Sequence, residues 1–318
     1  MKPIYFTLLF FGLLISACTD IPQQENETDH SLVYLNYTES GLDSAYSQSF
    51  WAPNSRLVFN QIYGLRALAN EALGKPERIT YGETEAEKLD LYRPKRQNSP
   101  IHIYVHGGAW RSGNGSGESA YNARKFVERG IMYLAPDYEL VTDAEGSLYP
   151  MVEQLRRAII WTYQNARTYG GDPNQIYLSG HSAGGHLGGV LITTDWQQYG
   201  LPADVIKGAY LSSGMYDLYP VSLSSRNEYV TFTEKMIQDL SPAQHAQYLS
   251  TPVILAHGTA ESPEFKRQTE AFAQLLQEQG KEVNLQVLEG YNHFEIMIAL
   301  GNPYDLPGQV MLQQMGLD

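Results

Sequence analysis

The chain has 318 residues, 43% apolar and 12% aromatic, so it can bury the core of one large α/β domain or two small ones. A formal net charge of −13 and the lack of a basic stripe argue against a nucleic-acid partner. With a single cysteine, the chain can form neither an intramolecular disulfide nor a cysteine-based zinc site.

The N-terminal segment is typical of a cleaved leader. A lysine precedes an apolar run, Ile4 to Ile15, which is too short to span a bilayer. The stretch Leu14-Ile-Ser-Ala-Cys18 resembles the lipobox of bacterial lipoproteins. This predicts a signal peptide over 1–17, a lipid anchor on Cys18 and a flexible tether over 18–31. The protein is then expected in the bacterial cell envelope, facing the periplasm or the exterior, with an ordinary secretory signal as the alternative.

Residues 32–75 are aromatic-rich and partly helical by pattern. Apolar residues recur at roughly helical spacing from Asn60 to Leu73, and Gly74 is a plausible stop. The segment is expected either to cap the entrance of a functional site or to lie as a helix on the flank of the fold.

The pattern of residues 76–318 predicts one α/β domain. Two alternating runs, Arg78–Tyr81 and Glu87–Tyr92, favour an antiparallel pair at a sheet edge. The loop-rich stretch between Leu211 and Thr251 is expected to shape a pocket. From Ile101 onwards, strand-like and helical runs alternate along the chain, which indicates a mostly parallel sheet with helices on both faces. These runs are Ile101–Val105, Ser119–Arg129, Ile131–Ala135, Pro150–Tyr169, Ile176–Ser179, Gly184–Thr193, Val205–Leu211, Pro252–Ala256, Pro263–Gln279, Val283–Leu288 and Phe294–Leu300.

The stretch Gly180-His-Ser-Ala-Gly184 predicts a nucleophile elbow. It follows a short apolar run and precedes a segment of small residues, so it forms a strand, a sharp turn and a helix. Glycines on either side of Ser182 leave room for such a turn and expose the hydroxyl. Ser182 is therefore the candidate nucleophile.

A second glycine-rich loop, His106-Gly-Gly-Ala-Trp110, follows the run that ends at Val105. Small residues at this place allow backbone N–H groups to face a developing oxyanion. Gly107, Gly108 and Ala183 are the predicted donors.

His293 is the predicted general base, because it lies between the last strand-like run and the following helix. His106 and His186 are interpreted as structural, and His257 as shaping the loop that carries the acid. Since no carboxylate has suitable spacing to join His181 and His186, we expect no metal and no cofactor.

The acid that orients the base should follow the strand Pro252–Ala256. The next loop contains Glu261 and Glu264 but no aspartate. Glu261 precedes a helix-start signal and remains on the loop, whereas Glu264 would lie in the first helical turn. Glu261 is preferred, which gives the chain order nucleophile, acid, base, as in α/β-hydrolases.

These motifs resemble the esterase/lipase branch of the α/β-hydrolases, and more narrowly kynurenine formamidases and bacterial arylformamidase-like esterases. In that narrower family the residue before Ser-Pro-Glu-Phe is the triad acid, often Asp, and Glu261 occupies the position here. The stretches that carry the narrower resemblance are Leu42–Tyr46, Thr194–Trp196, Ser213–Leu218, Glu261–Gln268 and Asn292–Glu295.

The resemblance implies a serine hydrolase that acts on esters or on an activated aryl formamide. Because the protein is expected outside the cytoplasm, the preferred function is cleavage of small carboxylic esters through an acyl-enzyme. Hydrolysis of an aryl formamide such as N-formylkynurenine is the alternative, and a non-catalytic binding protein with the same fold is a second one. Trp110, Trp196 and Tyr216 are candidate pocket residues.

Overall fold

The computed structural model describes residues 31–115 and 119–317. The predicted signal peptide, Cys18 and nearly all of the tether lie outside the described residues. Among the described helices, none is long and apolar enough to cross a membrane.

One mixed sheet forms the centre of the described chain. Its spatial order is β1-β2-β4-β3-β5-β6-β7-β8. Its strands are β1 (Glu77–Thr80), β2 (Lys88–Tyr92), β3 (Ser99–Val105), β4 (Met132–Pro136), β5 (Gly171–His181), β6 (Ile206–Ser212), β7 (Val253–Gly258) and β8 (Val283–Leu288). Strands β1 and β2 are antiparallel to each other, and β2 is antiparallel to β4, whereas every other neighbouring pair is parallel. The α/β-hydrolase fold and its antiparallel edge are thus confirmed.

The helices of the described residues cover both faces of this sheet. They are α1 (Glu39–Tyr46), α2 (Gln48–Trp51), α3 (Ser55–Leu73), α4 (Ala120–Glu128), α5 (Tyr149–Asn165), α6 (Ala183–Ile192), α7 (Leu218–Ser222), α8 (Glu234–Leu240), α9 (Pro263–Glu278), α10 (Glu295–Gly301) and α11 (Leu306–Gln314). Short 3-10 helices follow α5, α6, α7 and α8.

The strands divide their side chains between two apolar cores. In β7, Val253 and Leu255 join the core that contains α5, α6 and α9, while Ile254 and Ala256 join the core that contains α4, α10 and α11. Successive side chains of a strand point to opposite faces, so a central strand that is covered on both faces is apolar at most positions. This is why the buried strands appear in the sequence as continuous apolar runs.

Three elements differ from the sequence-based expectation. Strand β5 begins at Gly171, five residues before the predicted Ile176, because Gly171 pairs with Ser99 of β3. Helix α3 begins at Ser55, five residues before the predicted Asn60, because Val58 also turns inward and is buried. Helix α11 has no predicted counterpart. Asp305 caps its N-terminus by accepting a hydrogen bond from the Leu306 N–H, and Met311 and Leu312 of the helix pack into the second core.

Candidate active site

The turn between β5 and α6 presents Ser182 in a strained conformation. Its φ of 58° and ψ of −122° are sparsely populated by residues with a side chain. Glycine is required on both sides, since a Cβ on Gly180 would lie 2.2 Å from the carbonyl oxygen of Gly184. A Cβ on Gly184 would lie 2.1 Å from the carbonyl oxygen of Val105. The surrounding backbone therefore fixes the position of Ser182 on the turn, where it lines a cleft.

The structure brings Ser182, His293 and Glu261 together from three loops at the carboxyl ends of β5, β8 and β7. His293 Nε2 lies 2.9 Å from the Ser182 Oγ, and its Nδ1 lies 2.5 Å from Glu261 Oε1. All three side chains are buried. With the proton on Nδ1, the imidazole donates to Glu261 and its Nε2 accepts from the serine hydroxyl, which is the arrangement a general base requires.

The Glu261 carboxylate is fixed by two further donors. Its Oε2 accepts a hydrogen bond from the Ser213 hydroxyl and one from the Gly258 N–H, both at 2.8 Å. The competing acid, Glu264, lies elsewhere: it forms a bidentate pair with Arg267 at 2.8 Å for each bond. The structure therefore places Glu261, and not Glu264, on the base. The role of Ser213 was missed, because nothing in the sequence signals that its hydroxyl faces the acid.

Burial shifts the pKa values of His293 and Glu261. It lowers the pKa of the His293 imidazole, and the positive charge of Arg226 lowers it further. Burial raises the pKa of the Glu261 carboxyl, while the bond from the Gly258 N–H acts in the opposite direction. The imidazole is thus neutral at neutral pH and can accept the serine proton.

The predicted oxyanion donors lie around the nucleophile. A Cβ on Gly107 would lie 2.8 Å from the His181 carbonyl and 3.3 Å from Ser182 Cβ, so this loop packs directly on the elbow. Gly108 has a φ of 113°, which favours glycine. Within residues 31–115 and 119–317, no group accepts a hydrogen bond from the N–H of Gly107, Gly108 or Ala183. Those N–H groups are free to bind developing negative charge.

The other histidines near the motifs are held in structural contacts. The His106 ring stacks on Tyr138, with ring centroids 4.2 Å apart. His186 accepts a bond from Trp110 Nε1 and faces a backbone carbonyl through Nε2. His181, Glu261 and His293 could in principle surround a metal ion. However, His293 has both ring nitrogens engaged within the triad, so the cluster fits acyl transfer better than metal ligation.

A cleft of about 610 Å³ opens beside Ser182 and His293, a volume typical of small-molecule sites. Residues of the segment 32–75 line it, among them Phe59 and Tyr63. The insertion between β6 and β7 lines it as well, through residues that include Arg226. Aromatic rings form much of the wall, from Phe59, Tyr63, Tyr104, Tyr121, Tyr229 and Phe294.

The pocket prediction for Trp110, Trp196 and Tyr216 is wrong. None of the three lines the cleft, and each is at most 2% exposed. Trp110 donates to His186, Trp196 donates to a backbone carbonyl, and Tyr216 stacks on Phe272. The two indole N–H groups find partners inside the protein, and the Tyr216 ring is held by stacking, so all three side chains belong to the core.

A serine, histidine and glutamate triad on the elbow of a mostly parallel sheet defines a serine hydrolase with the α/β-hydrolase fold. The chain is 31% identical to kynurenine formamidase of Danio rerio, covering 89% of this chain and 98% of that protein. It is 35% identical to kynurenine formamidase of Salmo salar, with 86% and 96% covered. The chain belongs to the α/β-hydrolase esterase family that includes the kynurenine formamidases.

Further comparisons agree with this assignment. The BD-FAE family model matches residues 89–205, and the model of the prolyl oligopeptidase family matches residues 159–302. The esterase 2 structure of Thermogutta terrifontis with bound propionate superposes with a TM-score of 0.61 at 24% identity, covering 76% of this chain and 92% of that chain. At that identity the likeness supports the fold alone.

Proposed function

We propose that the protein is a serine carboxylesterase that hydrolyses small esters through an acyl-enzyme. The observation that carries this proposal is the hydrogen-bonded chain from Ser182 through His293 to Glu261 beside an open cleft. A hydroxyl with a base at 2.9 Å and free N–H donors nearby is equipped for acyl transfer.

The site contains a group suited to each step of such a reaction. As Ser182 Oγ bonds to the substrate carbonyl carbon, its proton passes to His293 Nε2, and the oxyanion accepts bonds from the loop N–H groups. When this tetrahedral intermediate collapses, the bond to the leaving group breaks, and the leaving group takes the proton from His293. A water molecule then gives a proton to His293 and attacks the acyl carbon. The bond from that carbon to Ser182 Oγ breaks, His293 returns the proton to Oγ, and the carboxylic acid leaves.

Aryl formamide hydrolysis is the second candidate. The two fish kynurenine formamidases match this chain over nearly their whole length, which favours it. The aromatic wall of the cleft suits an aryl leaving group, whether it departs from an ester or from a formamide. The predicted envelope location favours the ester, because a lipoprotein outside the cytoplasm is an unusual place for tryptophan catabolism.

A direct comparison of p-nitrophenyl acetate and N-formylkynurenine separates the two candidates. For a carboxylesterase, we expect kcat/KM for the ester to exceed that for the formamide by at least about tenfold, or about 1.4 kcal/mol in transition-state binding. The reverse order would assign the formamidase activity. Hydrolysis of neither compound, together with no labelling of Ser182 by a fluorophosphonate, would favour a binding protein.

We propose further that Cys18 carries a lipid anchor. The proposal is supported by the lipobox-like stretch that ends at Cys18, which lies outside the described residues. Replacing Cys18 by Ala should move the protein from the membrane fraction to the soluble fraction and leave ester hydrolysis intact, because the substitution removes the thiol that would carry the lipid. Persistence of the variant in the membrane fraction would refute the anchor.

A further inference from the structure

A buried guanidinium lines the active-site cleft. Arg226 belongs to the 3-10 helix Ser225–Glu228 in the insertion between β6 and β7, and only 7% of its surface is exposed. Moving a guanidinium out of water costs several kcal/mol unless an opposite charge and hydrogen bonds compensate. A side chain of this kind in a substrate cleft is therefore a candidate binding group.

The partners of Arg226 within the protein are neutral. Its Nη1 donates to the Tyr229 hydroxyl at 2.9 Å, and its Nη2 donates to the Tyr46 carbonyl at 3.0 Å. The cation also lies 5.6 Å from the centroid of the Trp110 ring. Its Nε is buried and has no hydrogen-bond partner in the described parts of the chain. Of the five N–H groups of a guanidinium, two are used, and no described carboxylate forms an ion pair with this cation.

Arginines outnumber acidic residues in the lining of this cleft, although the chain as a whole is acidic. Arg66 and Arg111 also line the cleft, and each lies over a tyrosine ring. The acidic residues of the lining are Asp43 and Glu228. Asp43 accepts a bond from a backbone N–H, and Glu228 is exposed, as is Arg111. With a net charge of −13 for the whole chain, three arginines on one cleft indicate a site that attracts anions.

We propose that Arg226 binds a free carboxylate of the substrate, so that the enzyme selects esters or aryl formamides that carry such a group. This inference rests on the proposed hydrolase function and specifies further that the substrate carries a negative charge. The planar fork of a guanidinium matches the two oxygens of a carboxylate, and a desolvated pair of this kind is stronger than a neutral hydrogen bond. The anion would supply the charge that Arg226 lacks within the protein.

Matched substrate pairs test the proposal in Arg226→Gln. Phenyl acetate and 4-acetoxybenzoate differ by a carboxylate on the leaving group, while p-nitrophenyl butyrate and mono-p-nitrophenyl succinate differ by one on the acyl group. For each pair we measure kcat/KM for both esters, in the pH range where the kcat/KM of each variant no longer changes. The value compared is the ratio of kcat/KM for the anionic ester to kcat/KM for the neutral ester. Relative to the wild type, this ratio should fall about 10- to 100-fold in at least one pair.

The controls separate charge recognition from a structural role. Arg226→Lys keeps the charge but loses the fork and should retain an intermediate ratio. Arg124→Gln, on the exposed face of α4, should leave both ratios unchanged. Equal losses of both members of each pair in Arg226→Gln would overturn the proposal, because they would show that Arg226 acts on His293 or on folding alone.

A binding readout keeps the proposal testable without turnover. In the wild type, benzoate should slow labelling of Ser182 by a fluorophosphonate more than benzamide does, and Arg226→Gln should remove that difference. Equal protection by the two compounds in the wild type would overturn the carboxylate site. Hydrolysis of phenyl acetate by the same preparation reports separately on the proposed esterase function.

Discussion

Ser182→Ala is expected to reduce kcat for p-nitrophenyl acetate by about 10⁴- to 10⁶-fold while the protein remains folded. The substitution removes one oxygen, the atom that forms the acyl bond and lies 2.9 Å from the base. The elbow itself depends on the glycines around it and not on the serine hydroxyl, so the backbone should keep its shape.

The measurement is steady-state hydrolysis together with fluorophosphonate labelling and a thermal melt. Labelling should disappear in Ser182→Ala, and the melting temperature should remain within a few degrees of the wild type. Activity close to that of the wild type would show that another residue attacks the carbonyl and would remove the basis of the proposed function.

Glu261→Gln is expected to lower kcat by about 10⁴-fold. The reason lies in the two donors on Oε2, the Ser213 hydroxyl and the Gly258 N–H. The fixed backbone donor favours the amide oxygen at that position, so the amide NH2 must face His293 Nδ1. An imidazole that accepts there carries its proton on Nε2 and cannot take the proton of Ser182.

Glu264→Gln is the matched control, since Glu264 is also buried and lies only three residues away. It should leave kcat near that of the wild type but lower the free energy of unfolding by about 1–3 kcal/mol, because it breaks the bidentate bond with Arg267. The opposite result, inactive Glu264→Gln and active Glu261→Gln, would exchange the roles of the two acids.

The order of the fold elements could be predicted from the sequence with good accuracy. Buried central strands require continuous apolar runs, and the helices between them are marked by period and by glycine or proline at their ends. Helix α11 was missed, and α3 was predicted too short, because their helical patterns are weak and their positions depend on packing against distant residues.

The sequence by itself determined the features whose physical causes are local. The glycines around Ser182 and those of the His106–Trp110 loop must stand where a turn leaves no space for a side chain, so a short stretch of sequence identifies them. The helix-start signal after Glu261 favoured it over Glu264, but only the tertiary structure brings its carboxylate to His293, because that contact depends on the convergence of β7 and β8. The tertiary structure likewise placed Trp110 in the core and Arg226 in the cleft, since burial and charge compensation depend on residues far apart in the chain.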